Sequence, residues 1–170
     1  MNSRRREVER QVTAEAVQIL EADAARADAA PVTVVAGEGW HEGVVGIVAS
    51  RMVERFGRPA IVLSVNGDQA KGSGRSLPGL DLHAIVADAA ATLTRWGGHS
   101  GAVGVSLAAD DIPAFREALE ASAAGRSREI ARARTRTVDA VAAGADLTLA
   151  TAEALEALAP FGRGNPEPRI

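Results

Sequence analysis

The chain has 170 residues, a formal net charge of −3 at pH 7 and 46% hydrophobic residues, although aromatic residues make up only 3% of it. This length suffices for one domain of ordinary size, and the absence of cysteine excludes disulfides, thiolate metal sites and cysteine nucleophiles. No apolar run reaches the roughly 18 residues of a membrane-spanning helix and the charged start is unlike a signal peptide, which predicts a cytoplasmic protein without membrane contacts.

The first half of the chain is predicted to alternate helices with buried strands. A long helix is expected over 2–28, because apolar residues recur among charged ones without an intervening glycine or proline. Short β-branched runs predict buried strands over 32–36 and 60–65. Between these strands, a helix over 43–56 is expected to end at Gly57-Arg58-Pro59.

The second half begins with a hairpin signal and continues with strands and helices. Asn66-Gly67-Asp68 is typical of a tight turn, because asparagine and glycine accept its positive φ angles. The elements expected after this turn are a strand over 69–76, a helix over 82–96 capped by Asp81, a turn at Gly97-Gly98-His99, a strand over 102–107, a helix from Asp110 or Asp111 to Ala124 with Pro113 in its first turn, linker plus strand within 126–141, and a helix within 147–158 with Thr151 near its start.

This order of elements, a helix followed by β-α-β-β-α-β-α, predicts an α/β fold in which helices flank a mixed β-sheet. The sheet is expected to be mixed because one hairpin interrupts the crossover pattern. The chain opens inside a charged helix and stops in a proline-rich stretch, so neither end looks like a natural boundary. We therefore expect an excised segment of a longer protein.

A glycine-rich segment, Gly72-Ser73-Gly74-Arg75-Ser76, is a candidate phosphate site. Its glycines permit a close backbone approach and a nest of N–H groups that binds anions. Its hydroxyls and guanidinium, with the preceding Lys71, are donors that suit phosphate oxygens. It is not a Walker A loop, which needs a Gly-Lys-Ser/Thr ending that opens a helix. A glycine-rich hairpin with a surface arginine explains the same residues without a ligand.

The three histidines have different surroundings. His99 directly follows Gly97-Gly98 and fits a hydrogen bond to phosphate, a proton-transfer role or a purely structural turn. His41 stands at a strand-to-helix junction, where a helix N-terminus attracts anions, and its neighbour Trp40 either stacks on a base or belongs to the core. His83 lies in an apolar helix and is expected to be structural. Because the histidines lack metal-binding spacing, no metal site is predicted.

The basic residues are clustered, and eighteen of the nineteen are arginines. One group lies at 4–6 and the other between 126 and 136. The acidic average charge argues against nucleic acid, and a solvated helix face is the default interpretation of each group. Nucleic-acid contact is indicated only where arginines flank the glycine-rich segments.

Taken together, these motifs resemble the RecJ family of bacterial single-stranded-DNA exonucleases, in the DHH-associated domain of the DHH phosphoesterase superfamily. The motifs that carry the resemblance are Asn2-x-x-Arg5-Arg6-x-x-Glu9, Trp40-His41-x-Gly43-Val44-Val45-Gly46-Ile47-Val48-Ala49-Ser50, Lys71-Gly-Ser-Gly-Arg-Ser76, Gly97-Gly98-His99 and Pro160-Phe161-Gly162-x-Gly164-Asn165-Pro166-Glu167-Pro168. Two departures from the family are Glu42, where proline is common, and Val103, where a small residue is frequent.

The resemblance implies the substrate-binding half of a 5′-to-3′ exonuclease of DNA repair and recombination. The family's preceding DHH domain holds Mn²⁺ or Mg²⁺, whose activated water attacks the phosphodiester, and none of its ligands is in this sequence. The segment alone is therefore expected to be inactive. Its expected partners are 5′-phosphorylated single-stranded DNA and its own DHH and OB-fold domains. The implied divisions are an interdomain helix over 1–30, the DHH-associated domain over 31–128 and a connector toward the OB-fold over 129–170.

The resemblance also implies roles for individual residues, all of them phosphate contacts. Ser73 and Arg75 are expected to grip the 5′-terminal phosphate, and His99 is expected to assist catalysis by contacting the phosphate near the scissile bond. The further candidate substrate-binding residues are Ser76, Gly97, Gly98, His41 and Arg6.

Two other functions stay open on the sequence alone. One is a DHH-family phosphoesterase that acts on short oligoribonucleotides or nucleotides, and the other is a non-catalytic adaptor that binds nucleic acid. The Trp40-His41-x-Gly43 motif and the Pro160–Pro168 stretch favour the exonuclease over this phosphoesterase, since relatives with short substrates lack the entry to an OB-fold. An Asp-His-His motif upstream of this segment separates an enzyme from an adaptor.

Overall fold

The computed structural model describes residues 2–23, 29–135, 138–162 and 164–170. These residues form six α-helices and one five-stranded sheet, which confirms the predicted α/β class. The helices are α1 (Asn2–Ala22), α2 (Glu42–Phe56), α3 (Leu82–Asp88), α4 (Ile112–Gly125), α5 (Ser127–Arg134) and α6 (Leu149–Glu156). The strands are β1 (Thr33–Glu38), β2 (Ala60–Asn66), β3 (Gln69–Arg75), β4 (Arg95–His99) and β5 (Ala102–Ala108).

The sheet is mixed, as predicted, and its strand order is β1-β2-β3-β5-β4. Strands β1 and β2 are parallel and are joined by α2, whereas every other neighbouring pair is antiparallel. Strand β4 therefore lies at one edge, and β3 lies in the middle between β2 and β5. This order decides which side chains of β3 and β4 share a face.

Two hydrophobic clusters cover the two faces of the sheet. On one face, α1 and α2 pack on β1 and β2 through Val12, Val48 and Met52. On the other face, α3 and α4 pack against the strands, and Phe115 of α4 belongs to the same hydrophobic cluster as Leu63 of β2. Helix α2 packs on β2 and β3, and beyond them Gly97 of β4 and Gly104 of β5 are exposed. The α2 face is thus covered over β1 and β2, partly covered over β3, and open over β5 and β4.

Several predicted boundaries are confirmed, each by a local hydrogen bond or dihedral angle. Gly57 ends α2 in a left-handed conformation (φ 62°) and donates its N–H to the Val53 carbonyl. Gly67 adopts φ 62° in the two-residue turn between β2 and β3. The Asp81 carboxylate accepts a hydrogen bond from the Ala84 N–H and caps α3, and Thr148 caps α6 in the same way.

The predicted helix over 82–96 is wrong in its second half. Helix α3 ends at Asp88, a 3-10 turn covers Ala90–Thr92, and β4 begins at Arg95. The alanine-rich stretch has high helix propensity, but pairing with β5 and packing of Trp96 on the core outweigh it. The sheet consequently has a fifth strand that was not predicted.

The predicted turn at Gly97-Gly98-His99 is also wrong, because these residues belong to β4 and pair with β5. The turn follows them at Ser100 and Gly101. The strand expected within 126–141 is absent from the described residues there, and α5 occupies Ser127–Arg134 instead. Helix α1 covers Asn2–Ala22 of the predicted 2–28, and residues 24–28 lie outside the described ones.

The chain divides into two compact units, 1–134 and 135–170. The first contains the sheet and helices α1 to α5. The second contains α6, and its Asn165 side chain donates hydrogen bonds to the carbonyls of Leu158 and Pro160. Within the described part of the chain, no helix is both long and apolar enough to cross a membrane.

Candidate phosphate-binding site

Strand β3 separates its polar and glycine residues onto opposite faces of the sheet. Lys71, Ser73 and Arg75 alternate with Gly72 and Gly74, and successive strand residues point to opposite sides. Ser73 is paired with Val62 of the α2 face, whereas both glycines are paired with residues of the opposite core. The three polar side chains therefore project together from the α2 face.

The two glycines of β3 serve packing. A Cβ atom on Gly74 would lie 2.5 Å from Ile61 Cδ1 and 2.6 Å from Val103 Cγ2, and one on Gly72 would lie 2.4 Å from the Val62 carbonyl oxygen. The backbone of both residues lies in the hydrogen-bonded ladders with β2 and β5. The expectation of a backbone anion nest here is therefore wrong, and the part of β3 that is available to a ligand is its side chains.

The register of the sheet brings the β3 polar residues level with β4. Residues that face each other across antiparallel strands point to the same side. Three rows cross the open face as a result. They are Arg75-Ala102-His99, Ser73-Gly104-Gly97 and Lys71-Ser106-Arg95. The Cα atoms of Arg75 and His99 lie two strand spacings apart, roughly 10 Å.

Gly97 and Gly104 of the middle row form the floor of an open groove of about 530 Å³, which we call the β3–β4 groove. Gly97 and Gly104 carry no side chain, are exposed, and have no atom within 4 Å of their Cβ positions, so the floor is flat. Ser73 lines one side of the groove, and Lys71, Arg95 and Glu42 lie toward one end. The groove thus joins a bare backbone floor to hydroxyl and cationic side chains.

Arg75 and Ser73 are held together beneath helix α2. The Arg75 Nη1 donates a 2.8 Å hydrogen bond to the Gly74 carbonyl. A Cβ atom at Gly46 of α2 would lie 2.7 Å from Arg75 Nη2 and 3.5 Å from Ser73 Oγ. The guanidinium therefore occupies space that only a glycine in α2 leaves open. Gly46 was part of a recognised motif, but sequence reasoning gave it no role because the contact depends on the packing of α2 on β3.

Replacing Gly46 with alanine is expected to leave folding intact but to displace the Arg75 guanidinium. Alanine is favoured over glycine in a helix by about 1 kcal/mol, and the crowded atom is the end of a flexible side chain. We expect unchanged or higher thermal stability together with a roughly three- to tenfold loss of affinity for 5′-phosphorylated single strands, measured by fluorescence anisotropy. Gly125→Ala in α4, where a Cβ meets no atom within 4 Å, is the matched control. Unchanged affinity in the Gly46 variant contradicts this placement of Arg75.

His99 is exposed at the end of β4, and its ring is oriented by the backbone. The Gly101 N–H donates a 3.1 Å hydrogen bond to His99 Nδ1, so Nε2 is left to donate outward. Gly98 beside it has φ 144°, and a Cβ there would lie 2.2 Å from the Ala102 carbonyl oxygen. Only glycine fits that position, which explains the second glycine of the motif.

Ser76 follows β3 and has a structural role. Its hydroxyl donates a 2.9 Å hydrogen bond to the Leu80 carbonyl, and its N–H donates to the Gly101 carbonyl. These bonds fix the turn after β3 against the turn between β4 and β5. Ser76 lies next to Arg75 in the chain, but its hydroxyl proton is used within the fold.

His41 lies in a different pocket, of about 700 Å³, which it lines with Arg4, Arg5 and Trp40. Its Nδ1 accepts a 2.9 Å hydrogen bond from the Gly43 N–H and caps α2. Arg6 is exposed on α1 and is not among the residues that line the β3–β4 groove. The structure therefore does not bring His41 or Arg6 into that groove.

Of the two interpretations of Trp40, stacking on a base or membership of the core, the structure supports the core. Its side chain is 5% exposed, and its indole Nε1 donates a 2.8 Å hydrogen bond to Glu15. Hydrogen bonds from Gln11 and from this indole hold the pKa of Glu15 below its ordinary value. A Cβ at Gly37 would collide with the indole ring at 2.1 Å, so the strand end is shaped around it.

The second group of arginines does not flank the groove. Arg126 Nη1 lies 2.8 Å from Asp88 of α3, and hydrogen bonds from Ser122 and Arg126 hold the pKa of Asp88 below its ordinary value. Arg134 Nε donates to the Gly57 carbonyl. Arg136 lies outside the described residues. Among the described arginines, the expected gathering near the glycine segments is thus limited to Arg75 and Arg95.

His83 and the metal-binding groups complete the inventory of the site. The His83 ring lies 4.8 Å from the Trp96 ring, centroid to centroid, and is half-buried on α3, consistent with its expected structural role. Among the described residues, no three histidine, aspartate or glutamate side chains gather as a metal site would require. The resemblance implies a divalent ion in a preceding DHH domain, and the described residues of this chain do not form a group that fits such an ion.

The chain is similar to known proteins in both sequence and fold. The DHHA1 domain family matches residues 29–125. The single-stranded-DNA-specific exonuclease RecJ of Bacillus subtilis is 37% identical over 172 residues, covering 100% of this chain and 22% of that protein. Crystal structures of Thermus thermophilus RecJ superpose with TM-scores of 0.76 in complex with Mg²⁺ and 0.72 in complex with Mn²⁺, at 32% and 30% identity.

Those two structures cover 98% of this chain, which spans 25% and 24% of theirs. The chain thus spans about a quarter of the length of the relatives it matches. The resemblance to RecJ that the motifs carry is confirmed over the whole of this sequence. The chain belongs to the DHHA1 domain family, in the form found in RecJ exonucleases.

Proposed function

We propose that this chain is the substrate-binding segment of a RecJ-type 5′-to-3′ single-stranded-DNA exonuclease, and that it binds the strand in the β3–β4 groove. The observation that carries the proposal is the sheet register. It places Ser73 and Arg75 of β3 level with Gly97 and His99 of β4 on one open face. These are the motifs that the RecJ resemblance marks as phosphate contacts.

The donors on this face suit a terminal phosphate. The Arg75 guanidinium supplies a planar, permanently charged donor set, and the Ser73 hydroxyl lies beside it. A terminal phosphate carries more negative charge than an internal diester, so such a site favours a 5′-phosphorylated end. Recognition of a chain end in turn gives the enzyme its 5′-to-3′ direction.

His99 contributes a hydrogen-bond donor on the same face, in the row next to the groove, although it does not line the groove itself. Because Nδ1 accepts the Gly101 N–H, the outward Nε2 atom carries the proton and donates to a phosphate oxygen. The exposed Gly97 and Gly98 backbone lets a strand approach closely. In the proposal, these groups orient the phosphate for hydrolysis, and the divalent metal chemistry belongs to residues of a DHH domain outside this chain.

The size of the groove favours a strand over a small nucleotide. Lys71 and Arg75 lie four residues apart on β3, about 13 Å along the strand. A single nucleotide does not span two cationic groups at this distance, whereas an oligonucleotide does. This separation favours the exonuclease over a nucleotide phosphoesterase, and the proposal includes a cytoplasmic role in DNA repair and recombination.

The proposal is tested by titrating the chain with 5′-phosphorylated and 5′-hydroxyl single strands of one sequence at several salt concentrations. We expect tighter binding of the phosphorylated strand and affinities that fall as salt rises, because counterions are released from the DNA. With Mn²⁺ added, the strand should stay intact. Equal affinity for both ends contradicts the proposed site, and metal-dependent degradation by the pure chain contradicts its role as a binding segment.

A further inference from the structure

Glu42 lies beside the β3–β4 groove and pairs with its lysine. The Glu42 Oε1 atom lies 3.4 Å from Lys71 Nζ, and the two side chains are 51% and 59% exposed. Both residues line the groove. The carboxylate therefore neutralises a cation on the surface where the proposed substrate carries one negative charge per nucleotide.

Lys71 has a cationic counterpart across the sheet. It belongs to the row Lys71-Ser106-Arg95, whose members all line the groove. Because Lys71 and Arg95 are each opposite Ser106, their side chains project from the same face. Two cations and a hydroxyl thus lie in one row on this face, about 13 Å along β3 from Arg75.

We propose that Lys71 and Arg95 form a second phosphate subsite, and that Glu42 is a competing anion that holds Lys71 until a strand displaces it. The inference rests on the proposed function and extends it. A terminal phosphate can bind at Arg75 whatever the length of its strand, whereas only a longer strand reaches Lys71. A strand that reaches Lys71 must separate the Glu42–Lys71 pair and then lies near the Glu42 charge. Glu42 therefore lowers affinity for long strands selectively and leaves a mononucleotide unaffected.

The test compares Glu42→Gln with the parent chain for 5′-phosphorylated (dT)₈ and for thymidine 5′-monophosphate at low salt. We expect Glu42→Gln to bind the octamer roughly two- to fivefold more tightly, the range that an exposed charge pair supports. Affinity for the mononucleotide should not change. Lys71→Gln should weaken octamer binding, and Glu42→Gln should gain less in that background than in the parent.

Glu54→Gln is the matched control. Glu54 lies on the same helix, α2, and pairs with Arg51 at 3.1 Å with similar exposure, but it does not line the groove. Glu54→Gln removes the same charge as Glu42→Gln, so an equal gain in octamer affinity in both variants reflects net charge alone. The inference is overturned if the two variants gain equally, or if Glu42→Gln also tightens mononucleotide binding. A parent chain that binds no single strand at any salt concentration overturns the proposed function itself.

Discussion

Replacing Arg75 with alanine is expected to weaken binding of a 5′-phosphorylated single strand by roughly 1.5–3 kcal/mol, or about 10- to 150-fold. The guanidinium and the Ser73 hydroxyl both lie against Gly46 of α2, and under the proposed function the loss of the guanidinium removes a charge-assisted hydrogen bond to the terminal phosphate. Folding should be unaffected, since the bond that the side chain makes within the fold is to the neighbouring Gly74 carbonyl. Fluorescence anisotropy with phosphorylated and hydroxyl-ended strands measures the effect.

Arg51→Ala is the control for this experiment. Arg51 is an exposed arginine of α2 that pairs with Glu9 and Glu54, away from the groove. It removes an equal charge, so its effect on DNA binding measures the general electrostatic contribution. We expect Arg75→Ala, but not Arg51→Ala, to abolish the preference for a 5′-phosphate. A preference that survives in Arg75→Ala places the end-binding group elsewhere.

Replacing Gly72 with alanine is expected to destabilise the fold by about 1–3 kcal/mol, because there is no room for a methyl group between β3 and the core. The added Cβ would lie 2.4 Å from the Val62 carbonyl oxygen and 2.5 Å from Leu63 Cδ2. A backbone carbonyl inside a sheet cannot move aside as a flexible side chain does. Thermal or chemical denaturation followed by circular dichroism measures the loss.

Gly104→Ala is the control that distinguishes a steric clash from the general effect of replacing a glycine in a strand. Gly104 lies on the next strand, opposite Ser73, and a Cβ there meets no atom within 4 Å. Alanine at this position should leave stability unchanged or raise it slightly, since glycine is the less favourable residue in a strand by roughly 0.5–1 kcal/mol. If Gly72→Ala and Gly104→Ala are equally stable, then the glycines of β3 are not there for packing.

The elements that were predicted well are those with a local signal. The Asn66-Gly67-Asp68 turn and the end of α2 at Gly57 depend on the dihedral angles of single residues, which the sequence makes explicit. The buried strands β1 and β2 have continuous apolar runs. Strand β4 has no such signal, because it contains two glycines and follows an alanine-rich helix. Only pairing with β5 makes it a strand.

The candidate site shows the same division. Ser73, Arg75 and His99 were identified from residue chemistry and motif resemblance, and their common face could not be deduced without the register of β3, β5 and β4. Gly46 was missed as a site residue because its role is to leave space for a side chain 29 positions later. His41 was also a candidate phosphate contact, and its Nδ1 accepts a backbone N–H as that of His99 does, but it lines a separate pocket.

The alternation within Lys71–Arg75 explains why one short segment contains both glycines that are needed for packing and polar residues that can contact a ligand. A strand between two partners presents one face to the core and the other to the groove. Glycines on the core side reflect tight packing, and polar residues on the other side are available to a ligand. A glycine-rich motif in the centre of a sheet is therefore not a flexible loop, and its ligand contacts are made by side chains.

In the proposed function, the strand binds on the face over β3, β5 and β4. Backbone amide chemical shifts of the ¹⁵N-labelled chain, recorded while a 5′-phosphorylated single strand is added, test this binding mode most directly. We expect the largest changes on Ser73, Arg75, Gly97, Gly98 and His99. Changes centred on Gly39, His41 and Gly43, or on α3 and α4 across the sheet, would contradict it.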